Sequence, residues 1–367
     1  MSNYLIQSTF GEQNNFEVVV PLATGGLAHF FRDNDNPNMP WNGPNIFGTE
    51  FVFCGAALIQ SNYDDPDNFE VVAVSNDGHL WHFWRQPDFQ WRRIPNPIAA
   101  GVTGTPSLIQ STFGEQDNFE VVVPLATGGL AHFFRDNDNP NMPWNGPNIF
   151  GTEIGMFSAV SLIQSNYDDP DNFEVVAVNG NRLWHFWRQP DFQWRRTPNP
   201  IAAGVMGTPS LIQSTFGEQD NFEVVVPLAT GGLAHFFRDN DNPNMPWIPA
   251  GRIGVSVNDG EFNGAALIQS NYDDPGNFEV VAVTRNGQLL HYWRQKDFQW
   301  KRTPDPIAAG VNIATPHVNI HVFMTPGANR NNPRSTIDRV QEQKRVALEN
   351  RPLFKHINFI NINMRIN

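Results

Sequence analysis

The segment Leu-Ile-Gln-Ser occurs six times between residues 5 and 270 and sets a repeat of 49 to 56 residues. Its copies begin at Leu5, Leu58, Leu108, Leu162, Leu211 and Leu267. Alternate copies match far better than neighbouring copies, and Leu5, Leu108 and Leu211 lie 103 residues apart, so the chain carries three double units. Repeats of this length predict an array or ring of small units that pack against their neighbours.

Each unit contains four short segments rich in Val, Ile, Phe and Trp, which favour β-strands. In the even units they are predicted near residues 57–61, 69–74, 80–85 and 90–94, and in the odd units near 5–9, 16–22, 27–32 and 41–47. Turn signals such as Asn76-Asp77-Gly78 separate them. The strands are apolar on both faces, which indicates burial on both sides. Four-stranded units of this size predict an all-β fold, a β-propeller, and six units fit one closed ring.

The C-terminal segment departs from the repeat. Thr315-Pro316 echoes Thr105-Pro106, as if a seventh unit began, but no Trp follows. Residues 335–350 read as a helix and 354–366 as a strand. We therefore divide the chain into a propeller over residues 1–311 and a divergent segment over 312–367. That segment could form a seventh blade, clasp the ring or mediate oligomerisation, and the sequence leaves all three open.

Bulk composition excludes several classes of protein. Hydrophobic residues make up 40% of the chain, as in globular proteins, and no apolar run is long enough for a membrane span. The net charge of -13 argues against nucleic acid and anionic membranes as partners. Cys54 is the single cysteine, so no intrachain disulfide is expected. No secretion signal is visible at the N-terminus, which is compatible with a cytoplasmic protein or release by a non-classical route.

A His-aromatic-aromatic-Arg segment recurs in every unit and is the first candidate for function. Its copies begin at His29, His82, His132, His185, His235 and His291. An aromatic ring beside an Arg suits a sugar, which presents apolar C–H faces and many hydroxyls. The alternative is blade core, with the Arg tied to a carboxylate such as Glu17, and we favour that alternative for His82 and Phe83. For the Trp and Arg of the even units both interpretations stay open; these residues are Trp84, Arg85, Trp187, Arg188, Trp293 and Arg294.

One Trp also lies in the last predicted strand of every unit. These residues are Trp41, Trp91, Trp144, Trp194, Trp247 and Trp300. Each is either a stacking platform for a ligand or a packing wedge between blades. The acidic loops at Asp33, Asp136, Asp239 and 64–67 resemble calcium loops in composition but lack their spacing, so we expect solvated turns and no cofactor.

Enzyme signals are weak, because the chain contains no hydrolase, metalloprotease or phosphate-loop motif. A catalytic site is normally unique, whereas every notable polar residue here is copied three or six times. Repeated weak sites gain strongly when several engage one surface. The repeats therefore favour a multivalent binding protein without catalysis over an enzyme.

The phrases Asn-Phe-Glu-Val-Val-Val-Pro, Gly-Gly-Leu-Ala-His-Phe-Phe-Arg-Asp and His-Phe-Trp-Arg resemble the repeats of bacterial propeller lectins of the Photorhabdus lectin type. The resemblance covers residues 1 to about 316. It implies a propeller that binds fucose-type and related sugars between blades, often as a homo-oligomer, with glycans as partners. That family has seven blades, whereas six units are recognisable here.

The twelve Trp and Arg residues named above are thus our candidate sugar-binding residues. Odd units carry Phe31, Phe134 and Phe237 where even units carry Trp84, Trp187 and Trp293. If that Trp is the sugar platform, only three clefts are active. The alternative function is a protein-binding propeller scaffold, which would hold one partner per chain.

Overall fold

The computed structural model describes residues 3–10, 14–63, 68–113, 117–167, 172–216, 220–256, 259–271, 276–295 and 297–313. In these residues each sequence unit forms one antiparallel sheet whose strands follow chain order from the inside of the ring outward. We number these sheets blades 1 to 6.

The odd blades contain four strands each. They are β1 (Leu5–Gln7), β2 (Phe16–Pro21), β3 (Leu27–Arg32) and β4 (Trp41–Phe47) in blade 1; β10 (Ser107–Gln110), β11 (Phe119–Pro124), β12 (Leu130–Arg135) and β13 (Trp144–Phe150) in blade 3; and β19 (Ser210–Gln213), β20 (Phe222–Pro227), β21 (Leu233–Arg238) and β22 (Trp247–Ile253) in blade 5.

The even blades contain five strands each. They are β5 (Phe53–Ser61), β6 (Asn68–Ser75), β7 (His79–Arg85), β8 (Trp91–Arg93) and β9 (Ala99–Ala100) in blade 2; β14 (Ala159–Ser165), β15 (Asn172–Asn179), β16 (Arg182–Arg188), β17 (Trp194–Arg196) and β18 (Ala202–Ala203) in blade 4; and β23 (Phe262–Ser270), β24 (Asn277–Thr284), β25 (Gln288–Arg294), β26 (Trp300–Arg302) and β27 (Ala308–Ala309) in blade 6.

The fifth strand of the even blades is absent from the sequence prediction. Both β8 and β9 pair with β7, so together they form one interrupted outer edge. Pro95 and Pro97 lie in the interruption and cannot donate a ladder hydrogen bond. The chain rejoins the sheet where the Ile98 amide donates to the Leu80 carbonyl at 2.7 Å.

The hydrophobic core is divided into six clusters, each shared by two adjacent blades. Trp81 and Phe83 of blade 2 pack with Ile6 and Leu27 of blade 1. Leu80, from the other face of the same strand, packs against blade 3. A sixth cluster joins blade 6 to blade 1 and includes Val311 and Ile313. Burial of both strand faces and the closed six-bladed ring confirm the fold predicted from the repeats.

A ring of glutamine side chains links all six blades. The Gln of each Leu-Ile-Gln-Ser segment accepts a hydrogen bond from a backbone amide of the preceding blade at 2.7 to 3.0 Å. The pairs are Thr9–Gln60, Asn62–Gln110, Thr112–Gln164, Asn166–Gln213, Thr215–Gln269 and Asn271–Gln7. The last pair joins blade 6 to blade 1, so this repeated residue serves ring closure.

Backbone contacts at the junction of blades 6 and 1 copy those at covalent junctions. Asn312 donates to the Pro21 carbonyl at 2.8 Å, as Thr103 donates to Pro124 at 2.9 Å between blades 2 and 3. The ring is therefore closed by the same linker geometry that connects consecutive blades.

The axis of the ring is closed at one end. The buried Asn3 side chain donates to the carbonyls of Val160 and Pro209, while the hydroxyls of Thr105 and Thr208 meet at 2.9 Å. At the other end a cavity of about 440 Å³ is lined by isoleucine and glutamine side chains of the first strands.

The predictions for residues 314–367, including the helix, the last strand and the three alternative roles, lie outside the described residues. Among the residues that are described, none belongs to a helix long and apolar enough to span a membrane.

Candidate functional site: the clefts between blades

Strand alternation sends neighbouring residues of the predicted site into different clefts. In β7, His82 and Trp84 face blade 3, whereas Phe83 and Arg85 face blade 1. Trp84 and Arg85, predicted from the sequence to share one site, lie on opposite faces of one blade. Two classes of cleft result, and each occurs three times.

The even-to-odd clefts lie between blades 2 and 3, 4 and 5, and 6 and 1. In the first, Trp84 lies beside His82, with ring centroids 5.9 Å apart. Trp144 of blade 3 meets the same His82 edge-on at 5.6 Å. The other two clefts repeat the arrangement with Trp187, His185 and Trp247, and with Trp293, His291 and Trp41. This class thus brings together two predicted tryptophans from different blades.

An arginine from the odd blade completes this cleft. The Arg135 guanidinium lies 4.0 Å from the Phe119 ring centroid and 4.6 Å from that of Tyr63, across the cleft. Its Nε donates to Asn137 Oδ1 at 2.6 Å, so a local acceptor fixes it. The Tyr63 hydroxyl donates to Met142 Sδ at 2.7 Å. Arg238, Tyr167 and Met245 repeat these contacts. The odd-blade arginines were not among the predicted site residues, because in the odd units a Phe rather than a Trp precedes the arginine.

The odd-to-even clefts lie between blades 1 and 2, 3 and 4, and 5 and 6. Here Arg85 is only 5% exposed and lies over Phe69 at 4.5 Å and Phe10 of blade 1 at 5.0 Å. The Arg85 guanidinium also lies 5.8 Å from the centroid of the Trp91 ring. Burial lowers the pKa of Arg85, an effect that the nearby Glu17 carboxylate opposes. Arg188 with Trp194 and Arg294 with Trp300 occupy the equivalent places. This class joins the predicted Arg and Trp of one even unit.

A surface pocket of about 360 Å³ opens on the cleft between blades 3 and 4. Phe150 stacks on Trp194 there, with centroids 3.9 Å apart and planes within 6°, so one indole face is covered. Arg196 pairs with Glu153 and lowers the pKa of that carboxyl. Phe47 covers Trp91 in the same way, whereas Ile253 stands at the matching position of blade 5.

Every outer-strand Trp packs edge-on against the His of the preceding blade at 5.5 to 6.0 Å. The pairs are Trp91–His29, Trp144–His82, Trp194–His132, Trp247–His185, Trp300–His235 and Trp41–His291. All six are half-buried, so they form part of the blade interface and still present surface. Their role in sugar binding stays a prediction.

A buried Ser-Glu-His group repeats in all six blades. His132 Nε2 donates to Glu120 Oε2 at 2.7 Å, and Ser111 Oγ donates to the other carboxylate oxygen at 3.1 Å. Thus the carboxylate expected to hold the arginine holds the histidine instead. Ser and His both bind the Glu and are sealed in the blade, so they are not arranged as a nucleophile and its base.

The acidic loops of the odd blades are organised as turns. Asp33 Oδ1 accepts the Asn36 amide at 3.2 Å, and Asn34 Oδ1 accepts Arg32 Nε at 2.6 Å. Within the described residues no three His, Cys, Asp or Glu side chains gather in a group that could hold a metal ion. Residues 64–67 lie outside the described residues.

No protein-family model and no curated protein sequence matches this chain. Solved structures do match. The fucose-specific lectin from Aleuria aurantia aligns with a TM-score of 0.57 at 15% identity, over 82% of this chain and 92% of that one. A second structure of that lectin, described as a fungal six-bladed β-propeller with a novel fucose recognition mode, aligns with a TM-score of 0.56 at 15% identity, over the same shares of the two chains.

AofleA from Arthrobotrys oligospora aligns with a TM-score of 0.50 at 13% identity, over 73% of this chain and 75% of that one. The Aleuria neighbour is fungal, so the bacterial Photorhabdus type suggested by the repeats stays a prediction. At identities this low the likeness establishes the architecture, and the chain has the six-bladed propeller fold described for the Aleuria lectin.

Proposed function

We propose that this protein is a multivalent, non-catalytic lectin that binds small fucose-like sugars in its three even-to-odd clefts. The observation that carries the proposal is the convergence of two tryptophans from adjacent blades on one cleft, repeated three times with matching geometry. Half-buried indoles offer the flat apolar surface that the C–H face of a sugar needs. The fold likeness to fucose-binding lectins supports the same ligand class.

The polar groups of these clefts suit a neutral polyol. Arg135 is held by Asn137, and Tyr63 reaches from the preceding blade to the same guanidinium. A fixed guanidinium offers hydrogen-bond donors beside an aromatic surface, and the phenol oxygen can accept a hydrogen bond there. Hydroxyl groups accept such bonds without bringing a charge into the cleft.

The test is calorimetric titration with methyl α-L-fucoside. We expect three sites per chain, and we expect the combined change of Trp84, Trp187 and Trp293 to Ala to weaken binding by about tenfold or more, because the stacking surface is lost. The matched control changes Phe31, Phe134 and Phe237 to Ala, the same strand position in the odd blades, and should leave binding unchanged. Unaltered binding by the Trp variant, or saturation by one protein partner per chain, would contradict the proposal.

A further inference from the structure

The arginines of the odd-to-even clefts differ from those of the odd blades in having no hydrogen-bond acceptor. Arg85, Arg188 and Arg294 are 5 to 6% exposed. Their Nε atoms are buried and have no hydrogen-bond acceptor among the described residues. Buried charged donors are almost always paired, so three equivalent exceptions point to a missing partner.

The nearest carboxylate does not supply that partner. Glu17 attracts Arg85 across the cleft, but His29 and Ser8 occupy its two oxygens at 2.7 and 3.0 Å. The same holds for Glu120, which attracts Arg188 and is bonded to His132 and Ser111. The buried carboxylates of the blades are therefore hydrogen-bonded to histidine and serine and are not available to the arginine.

A change at one sequence position explains the difference between the blades. Two residues after the arginine, blade 3 has Asn137, which accepts from Arg135 Nε at 2.6 Å. Blades 2 and 4 have Pro87 and Pro190 at that position, and proline has no side-chain acceptor. The odd blades thus supply an internal acceptor for the Nε of their arginine, although the Nη2 of Arg135 stays buried without a partner. In the even blades the Nε itself has no acceptor and is left for a ligand.

The mouth of each odd-to-even cleft is formed by aromatic rings. Phe89 is 56% exposed and has a backbone φ of 64°, a left-handed conformation that is rare for a bulky residue. Its ring meets Phe10 of blade 1 at 5.5 Å, and the Arg85 guanidinium lies 5.4 Å from its centroid. Phe192 and Phe298 repeat the same φ and the same aromatic contact. Strained, exposed residues of this kind collect at ligand sites.

We propose that the odd-to-even clefts form a second class of site, which binds a carboxylate-bearing ligand such as a sugar acid. A carboxylate matches the guanidinium fork and supplies the acceptor that the even blades lack. The rings of Phe10 and Phe89 would contact the carbon skeleton of the ligand after their mutual contact opens. This site is separate from the clefts proposed for neutral sugars, so either proposal can fail alone.

The test is titration with methyl β-D-glucuronide, with methyl β-D-glucoside as the neutral counterpart. We expect three glucuronide sites per chain, weaker binding at higher salt, and no competition by methyl α-L-fucoside. The changes Pro87→Asn and Pro190→Asn place the odd-blade acceptor beside Arg85 and Arg188 without removing either arginine. The doubly changed protein should bind one glucuronide per chain with fucoside binding unchanged.

Three outcomes would overturn the inference. They are equal binding of glucoside and glucuronide at these clefts, a glucuronide stoichiometry that the Pro→Asn changes leave at three, and inorganic phosphate displacing glucuronide at equal concentration. As a second variant, Arg85→Gln, Arg188→Gln and Arg294→Gln together should weaken glucuronide binding by about tenfold or more. The Pro→Asn protein keeps all its arginines. It therefore still tests the inference if the Gln variant fails to fold.

Discussion

At the scale of single residues, repetition in this chain serves two purposes that the sequence alone does not separate. His82 and Phe83 are blade core, as predicted from the sequence. His82 is bonded to the buried Glu70 carboxylate, and Phe83 packs in the core shared with blade 1. Trp84, two residues after His82, keeps part of its surface at a cleft. Repetition therefore marks both a packing group, copied six times, and a candidate ligand group, copied three times, and burial distinguishes them.

Removing one buried carboxylate should destabilise the fold far more than removing an exposed one. Glu120→Ala leaves His132 and Ser111 without their acceptor in a sealed site, and we expect a loss of about 2 to 4 kcal/mol in the free energy of unfolding. The control is Glu153→Ala, which breaks the exposed pair with Arg196 and should cost less than about 1 kcal/mol. Urea unfolding followed by tryptophan fluorescence measures both, and similar losses would contradict the structural role of the buried group.

At the scale of elements, the linkers between blades are more tightly constrained than the strands. Gly101 and Gly104 both lie between blades 2 and 3 with φ of 75° and 68°. A Cβ atom on Gly104 would lie 2.0 Å from the Ser158 carbonyl oxygen of blade 4, whereas one on Gly101 would meet nothing within 4 Å. Gly104 is required by the close approach of another blade, whereas Gly101 is required only by its backbone conformation.

This contrast gives a matched pair of substitutions. Gly101→Ala should cost about 1 to 2 kcal/mol, the usual penalty for a left-handed alanine. Gly104→Ala carries the same penalty and also forces the linker away from blade 4, so we expect a clearly lower melting temperature. Differential scanning calorimetry of the two variants checks this, and equal melting temperatures would show that the linker yields without cost.

The sequence predicts the strands and blades better than it predicts which side chains contact each other between blades. Repeat length, turn residues and two-sided apolar strands were sufficient for the six blades and most strand positions. The interrupted outer edge of the even blades was missed because β9 is two residues long and follows two prolines. The pairing of Trp84 with Trp144 was missed because it depends on which face of a strand meets which neighbour, and this is decided by the closed ring.

At the scale of the whole molecule, ring closure distributes equivalent clefts around one axis. Blade 6 meets blade 1 through the same glutamine link and the same linker contacts that join other blades. The cleft between blades 6 and 1 is therefore built like the other two of its class, with Trp293 and Trp41 around His291. A single chain presents the three proposed sugar sites together.

Multiple sites on one chain should raise affinity for surfaces far more than for free sugar. Changing Trp187 and Trp293 to Ala leaves one intact even-to-odd cleft, at Trp84. We expect its affinity for free methyl α-L-fucoside to be unchanged and its retention on a dense fucosylated surface to fall by about a hundredfold, because avidity is lost.

Calorimetry and surface plasmon resonance measure the two quantities. Trp84→Ala, which leaves two clefts, serves as the intermediate control. A fall of only about threefold on the surface, in line with the number of sites, would indicate that the clefts act one at a time.

The closed ring is assembled from nearly interchangeable parts. The core with which blade 2 meets blade 3 closely resembles the core with which blade 4 meets blade 5. We therefore expect a double unit of one chain to be able to pack in the place of a double unit of another. Two chains that refold together could thus form a domain-swapped dimer. Such a dimer would make similar blade contacts to the monomeric ring but would differ in which chain supplies each blade. Dilution favours the solitary ring, so the yield of monomer on refolding should depend on protein concentration.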